Sequence, residues 1–161
     1  EETPKTPVTI HQLIENAYSQ KATTLNLSNQ GIEELPPVIG QLINLKELDL
    51  SGNTLTQLPI EIGQLTNLEV IKLSGNRLTR FPQNFAQLQK LTILDLSKNQ
   101  LSLVPGEITS LKNLKGLNLS NNYLADFPNE IANLVNLTTL DISENRLSQL
   151  PVRFDSLKQL T

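Results

Sequence analysis

A twenty-three-residue unit, repeated without a register slip, dictates what this chain can fold into. It is clearest from Leu45 to Asn67, LKELDLSGNTLTQLPIEIGQLTN. It returns from Leu68, Leu91, Leu114 and Leu137, with a degenerate copy from Ala22 and a further one beginning at Leu160. A fixed period of this length means one supersecondary unit per repeat. Each unit must stack on its neighbours, because one so short cannot bury its apolar face alone.

Within the unit, Leu48 and Leu50 flank Asp49, so alternation puts both leucines on one face of a short strand and the aspartate on the other. Asn53 follows where the chain must leave the strand. The same ninth position holds Asn76, Asn99, Asn122 and Asn145, and a primary amide there can both donate to and accept from the backbones of adjacent turns. Leu55 and Leu58 then point inward, Pro59 blocks a regular ladder, and Ile62 and Leu65 close the core from the far side. Stacking lays strand beside parallel strand at roughly 4.8 Å per step. All four phenylalanines, Phe81, Phe85, Phe127 and Phe154, fall at inward positions and are read as core.

The series Leu45, Leu48, Leu50, Asn53 and Leu55 resembles the LxxLxLxxNxL signature of the leucine-rich repeat family, and the resemblance runs from about Ala22 to Thr161. The LPIEIGQL half, Leu58 to Leu65, is similar to the Ras-group type of Scribble-like, Ras-suppressor-like and plant intracellular proteins; similar arrays precede the GTPase of bacterial Roco proteins. The resemblance implies an α/β solenoid: a right-handed horseshoe arc with parallel strands on its concave side, short 3-10 or helical convex segments and an N-terminal capping helix. It implies a non-catalytic module that binds a protein or peptide on the concave face. Two alternatives stand beside that reading. One is a regulatory or scaffold domain of a larger signalling enzyme such as a Roco-type GTPase, and the other is a secreted or surface bacterial adhesin.

Three segments are expected. Residues 1–8 read as a linker or frayed terminus. From Thr9 the period turns helical: Ile10, Leu13, Ile14, Ala17 and Tyr18 share a face, Thr9 with Gln12 makes a capping box, and Val8 is placed to staple against Leu13. Residues 9–21 should therefore form a helix laid over the open end of the first repeat. Residues 22–161 hold six full repeats and the start of a seventh. The first repeat has Ala22 in place of Leu and Gln30 in place of Asn, which suits a unit with one neighbour. The far end carries no equivalent cap, so the natural chain is expected to continue.

Composition narrows the function. No cysteine is present, which removes disulfides, a thiolate zinc site and a cysteine nucleophile, and favours a reducing, cytoplasmic setting or a bacterial source. A net charge of −3 with interspersed signs argues against a nucleic-acid duplex. No apolar run approaches the roughly 18 residues of a membrane span. No triad, HExxH or GxxxxGK[ST] sequence occurs, so no catalytic residue, cofactor or metal site is assigned, and His11 is read as a solvated side chain. Asp49, Asp95 and Asp141 share one outward column, but two repeats put them roughly 9–10 Å apart, too far to share one calcium ion. Lys72 between the first two suggests a cross-strand charge ladder. Asn26, Asn118 and Asn136 begin glycosylation sequons that the repeat writes by itself.

If packing dictates the inward positions, specificity must lie on the outward ones. Position seven is invariant serine, from Ser28 to Ser143, and is read as structural. Position three reads Thr24, Glu47, Val70, Ile93, Gly116, Thr139, placing two β-branched apolar residues side by side on a face that should be wet. Around them are expected Lys72 and Asp95 from position five, Lys98 from position eight, and Arg77, Gln100, Tyr123 and Arg146 from position ten. An apolar centre bordered by Arg, Tyr and charges has the composition of an interaction hot spot. The expected state is a monomer, with end-to-end contact through the uncapped C-terminal coil as its route to association.

Overall fold

A computed structural model describes residues 8–149 and 157–160. Six strands of three residues each, β1 (Thr24–Asn26), β2 (Glu47–Asp49), β3 (Val70–Lys72), β4 (Ile93–Asp95), β5 (Gly116–Asn118) and β6 (Thr139–Asp141), form one sheet in sequence order. Every pairing is parallel and every step in register is one repeat, as in Leu48 opposite Ile71 opposite Leu94. The central residue of each strand points into the core, and the first and third point outward. That period of two was visible in the Leu-Asp-Leu pattern.

Behind the sheet, proline at position fifteen stands just before each short convex segment. Four are 3-10 turns (Pro37–Gln41, Ile60–Gln64, Gln83–Gln87, Asn129–Asn133) and one is a single α-turn, α2 (Gly106–Thr109). Proline suits the place because it presets φ and has no N–H to leave unpaired. Ile62, Leu65, Leu68 and Leu73 are fully buried, as are their counterparts in the middle coils, and the cluster runs the length of the stack to the partly buried Ala22 and Ile142 at its ends. Phe81 and Phe85 pack edge to face, with centroids 4.7 Å apart, and Phe127 is buried as well. Phe154 lies outside the described residues. Where position nineteen is Gly63, an added Cβ would come within 2.5 Å of the Asn84 carbonyl oxygen, so the neighbouring arcs approach as closely as backbone permits.

The ninth-position asparagines join coil to coil. Asn99 Nδ2 donates to the carbonyls of Leu73 (2.9 Å) and Leu96 (3.1 Å), while its Oδ1 accepts the Leu78 N–H at 3.0 Å. Asn53, Asn76, Asn122 and Asn145 repeat the pattern one coil at a time. The Gln30 side chain, with no coil before it, donates at 3.3 Å to the Ser28 carbonyl of its own coil, while the Gln30 N–H is taken by Asn53 Oδ1 at 3.0 Å. A second, outer ladder runs through Asn67, Asn113 and Asn136, whose amides donate to the carbonyls of Ile43, Gln89 and Lys112. The Asn136 sequon nitrogen is thus occupied by the fold.

The asparagine ladder needs a sharp turn before it. Position eight is left-handed in every coil, with φ between 53° and 70° at Asn29, Gly52, Gly75, Lys98, Asn121 and Glu144. Its N–H still reaches the next coil, as from Lys98 to the Ser120 carbonyl at 2.9 Å.

Helix α1 (Ile10–Ser19) begins with the expected capping box: Thr9 Oγ1 accepts the Gln12 N–H and Gln12 Oε1 accepts the Thr9 N–H. Ile14 and Ala17 are buried against the first arc, with Ile10 and Leu13 half-buried beside them. Two expectations fail here. Tyr18 is 58% exposed and Val8 57% exposed, so the apolar stripe is narrower than the sequence suggested and Val8 is not buried as a staple. Residue 18 lies about 100° around the helix from residue 17, at the margin of the face that reaches the solenoid. Residues 1–7 lie outside the described residues.

Two stability changes follow. Asn99→Leu strands the Leu78 N–H and two carbonyls in the core and should cost about 3 kcal/mol in urea unfolding, against less than about 0.5 kcal/mol for Gln30→Ala. Lys98→Gly relieves a left-handed side-chain-bearing residue and should raise stability by about 0.5–1 kcal/mol, read as a higher urea midpoint at unchanged slope.

Candidate functional site

The outward sheet face, on the concave side of the arc, brings some of the sequence candidates together. Val70 and Ile93 are direct partners in the β3–β4 register, as are Lys72 and Asp95. Ile93 is 46% exposed and Val70 half-buried. Arg77, Gln100, Tyr123 and Arg146 form a separate column beyond the loop of positions seven to nine, along the edge where the strands end. Backbone bonds anchor them: each N–H donates to the preceding coil, at Leu55, Leu78, Leu101 and Leu124 respectively. The Arg146 guanidinium lies over the Tyr123 ring, 4.7 Å from its centroid. Lys98, exposed at position eight, stands between sheet and column. The candidates thus make an apolar pair with one polar rim rather than a closed ring.

The aspartates of position five have a different role from the expected charge ladder. Asp49, Asp95 and Asp141 each accept, on Oδ1, both the N–H and the hydroxyl of the serine two residues on, Ser51, Ser97 and Ser143. Asn26 and Asn118 do the same for Ser28 and Ser120. This is a repeated side-chain turn that satisfies the strand exit. Among the described residues no ion pair joins Lys72 to either neighbouring aspartate. Lys72 cannot accept from serine, so Ser74 instead meets Ser97, hydroxyl to hydroxyl, at 2.8 Å. The recurring Asx-x-Ser spacing was the signal that the charge reading passed over.

The two serine bonds hold the Asp141 carboxyl below the usual aspartate range, against a small opposing desolvation. The serine hydroxyls are taken up by the strand exits, each hydrogen-bonded to a carboxylate, an amide oxygen or another hydroxyl, and His11 is exposed on α1. Two shallow hollows flank the apolar pair. One, of about 210 Å³, spans β1 to β3 beside Val70, and the other, of about 370 Å³, spans β4 to β6 beside Ile93 with Gly116 and Asp141 in its lining. The second was not foreseen, although Gly116 inside a strand marks it. Among the described residues no helix is long and apolar enough to cross a membrane.

A family model described as a leucine-rich repeat region matches residues 38–119, and one for leucine-rich repeats in two copies matches residues 112–159. The chain belongs to the leucine-rich repeat family. Among solved structures it is similar to a leucine-rich repeat protein of Leptospira interrogans, at 30% identity over 99% of this chain and 52% of that one, with a TM-score of 0.64. It is also similar to the ectodomain of the receptor kinase SOBIR1 from Arabidopsis thaliana, at 38% identity over 76% of this chain and 70% of that one, with a TM-score of 0.65. A third is the ectodomain of the Arabidopsis receptor kinase GASSHO1/SCHENGEN3, solved in complex with CASPARIAN STRIP INTEGRITY FACTOR 2; there the identity is 37% over 80% of this chain and 16% of that one, and the TM-score 0.71. No curated protein sequence matches significantly. The chain spans about half the length of the Leptospira protein. Leucine-rich repeat domains are typically protein-interaction modules.

Because the Asp141 carboxyl is lowered in the folded chain, its stabilising contribution is present above the ordinary aspartate pKa and is lost as pH falls through its own lower value. Carbon-detected NMR titration should place the Asp141 midpoint below that of an unfolded aspartate, and Ser143→Ala should move it upward.

Proposed function

We propose that this leucine-rich repeat module binds a protein or peptide on the concave sheet face, with Val70 and Ile93 as the apolar anchor. Lys72 and Asp95 lie beside it, and Arg77, Lys98, Gln100, Tyr123 and Arg146 form its polar rim. The observation that carries the reading is the in-register pair itself: Ile93 is 46% exposed next to Val70 at a position where the other coils place Thr, Glu or Gly. An aliphatic pair with one exposed and one half-buried member on an otherwise polar face favours contact with a partner, because covering it removes apolar area from water. The scaffold is held by buried amide ladders before any ligand arrives, so association orders few backbone torsions.

The complex of the GASSHO1/SCHENGEN3 ectodomain supports ligand binding by a related array. Absence of cysteine favours a reducing compartment for this chain, whereas two of its relatives are receptor ectodomains. Within a longer protein the module would act as the recognition arm of a signalling chain, the helix α1 and the repeats forming one unit.

The test is affinity capture from the native lysate with the parent and a Val70→Glu, Ile93→Glu double variant, both first shown to fold by circular dichroism. Retention of a protein by the parent, reduced at least about tenfold by the variant, supports the reading. Equal capture by both places binding elsewhere.

A further inference from the structure

We infer that the concave face is built for a basic partner segment: an extended polypeptide that lays an aliphatic residue on Val70 and Ile93 and sets an adjacent arginine or lysine into the notch at Gly116. The inference rests on the concave-face reading above and specifies its ligand. Three observations lead to it.

The first is shape. Gly116 leaves a gap in the outward row of the sheet; a Cβ there would stand 3.2 Å from Thr139 Oγ1 and 3.8 Å from Ile93 Cγ1, so the gap is walled by an aliphatic chain on one side and a hydroxyl on the other. It opens into the hollow of about 370 Å³ that spans β4 to β6.

The second is charge. The outward strand positions carry Glu47, Asp49, Asp95 and Asp141 against a single cation, Lys72, and β4 to β6 carry two carboxylates and no cation. Asp95, Asn118 and Asp141 lie in one register row along the notch.

The third is preorganisation. The serine that follows each aspartate takes only Oδ1, through two bonds, which pins the carboxylate while Oδ2 enters no hydrogen bond among the described residues. A pinned, ionised carboxylate with a spare oxygen suits a guanidinium or ammonium donor. An aliphatic stem would lie along Ile93 and carry its charged head to the aspartates.

The fold supplies its own conservative variant. Asn26 and Asn118 make the same two bonds to their serines that the aspartates make, so Asp95→Asn with Asp141→Asn removes the charge and keeps the turn. The experiment is selection of a displayed library of random 12-residue peptides against the folded parent. Selected peptides are then measured by fluorescence polarisation against Asp95→Asn/Asp141→Asn, Gly116→Val and Val70→Glu/Ile93→Glu. The expected peptides carry Arg or Lys next to an aliphatic residue. They should lose roughly five- to tenfold affinity with the asparagine pair, as two partly exposed ion pairs would give, and weaken with added salt. They should also fail on Gly116→Val. Peptides that lack a basic residue, or bind the asparagine pair as tightly as the parent, overturn the inference; if Val70→Glu/Ile93→Glu still abolishes them, the concave-face reading survives alone. Peptides indifferent to all three variants, or no enrichment, count against both.

Discussion

The asparagine at position nine is the interaction on which the rest of the structure depends. One primary amide satisfies carbonyls of its own coil and of the coil before it, and takes the backbone N–H of the preceding arc, all out of contact with water. Those groups stand where the chain leaves a three-residue strand, and no longer ladder is available to pair them. Buried and unpaired, each would cost more than a hydrogen bond returns. With the ladder in place, no buried side-chain nitrogen or oxygen among the described residues lacks a partner. The repeat can therefore be extended coil by coil without a central core.

Everything at the strand exit is arranged to deliver that amide. Position eight must turn left-handed, which Gly52 and Gly75 do freely and Lys98 and Glu144 do at some cost. Position five accepts from the serine at position seven, which fixes the exit and also aims the carboxylates of Asp49, Asp95 and Asp141 from the concave face. The residues that make the turn therefore also set the electrostatics of the surface a partner would meet. At Lys72 the two roles separate: the serine bond is lost, Ser74 turns to Ser97 instead, and the face receives its one strand cation.

Period and register made most of the fold legible in the sequence. Six strands, the burial of the repeat leucines and of Phe81, Phe85 and Phe127, the proline before each arc and the amide at position nine all follow from one unit read against its copies, since stacking enforces the same contacts at every step. The capping helix was legible through Thr9 and Gln12, but not the width of its buried stripe, which depends on how the first arc meets it; Tyr18 and Val8 face water for that reason. The site was legible in part. Adjacency of Val70 and Ile93 is a consequence of register, whereas the aspartate's attachment to serine was mistaken for a charge ladder because cross-strand proximity is easier to see in sequence than a two-residue turn. The notch at Gly116 had a sequence signal, but its walls are side chains from two other coils.

A preformed array that recognises its partner on one face makes a definite demand on exchange behaviour. Hydrogen–deuterium exchange should be compared for the chain alone and with a captured partner. Added protection should be confined to the concave strands, centred on residues 70–72 and 93–95, with the ladder amides of Leu55, Leu78, Leu101 and Leu124 already slow and unchanged. Protection appearing on the convex arcs, or ladder amides that become slow only when the partner binds, would contradict a preformed array with one recognition face.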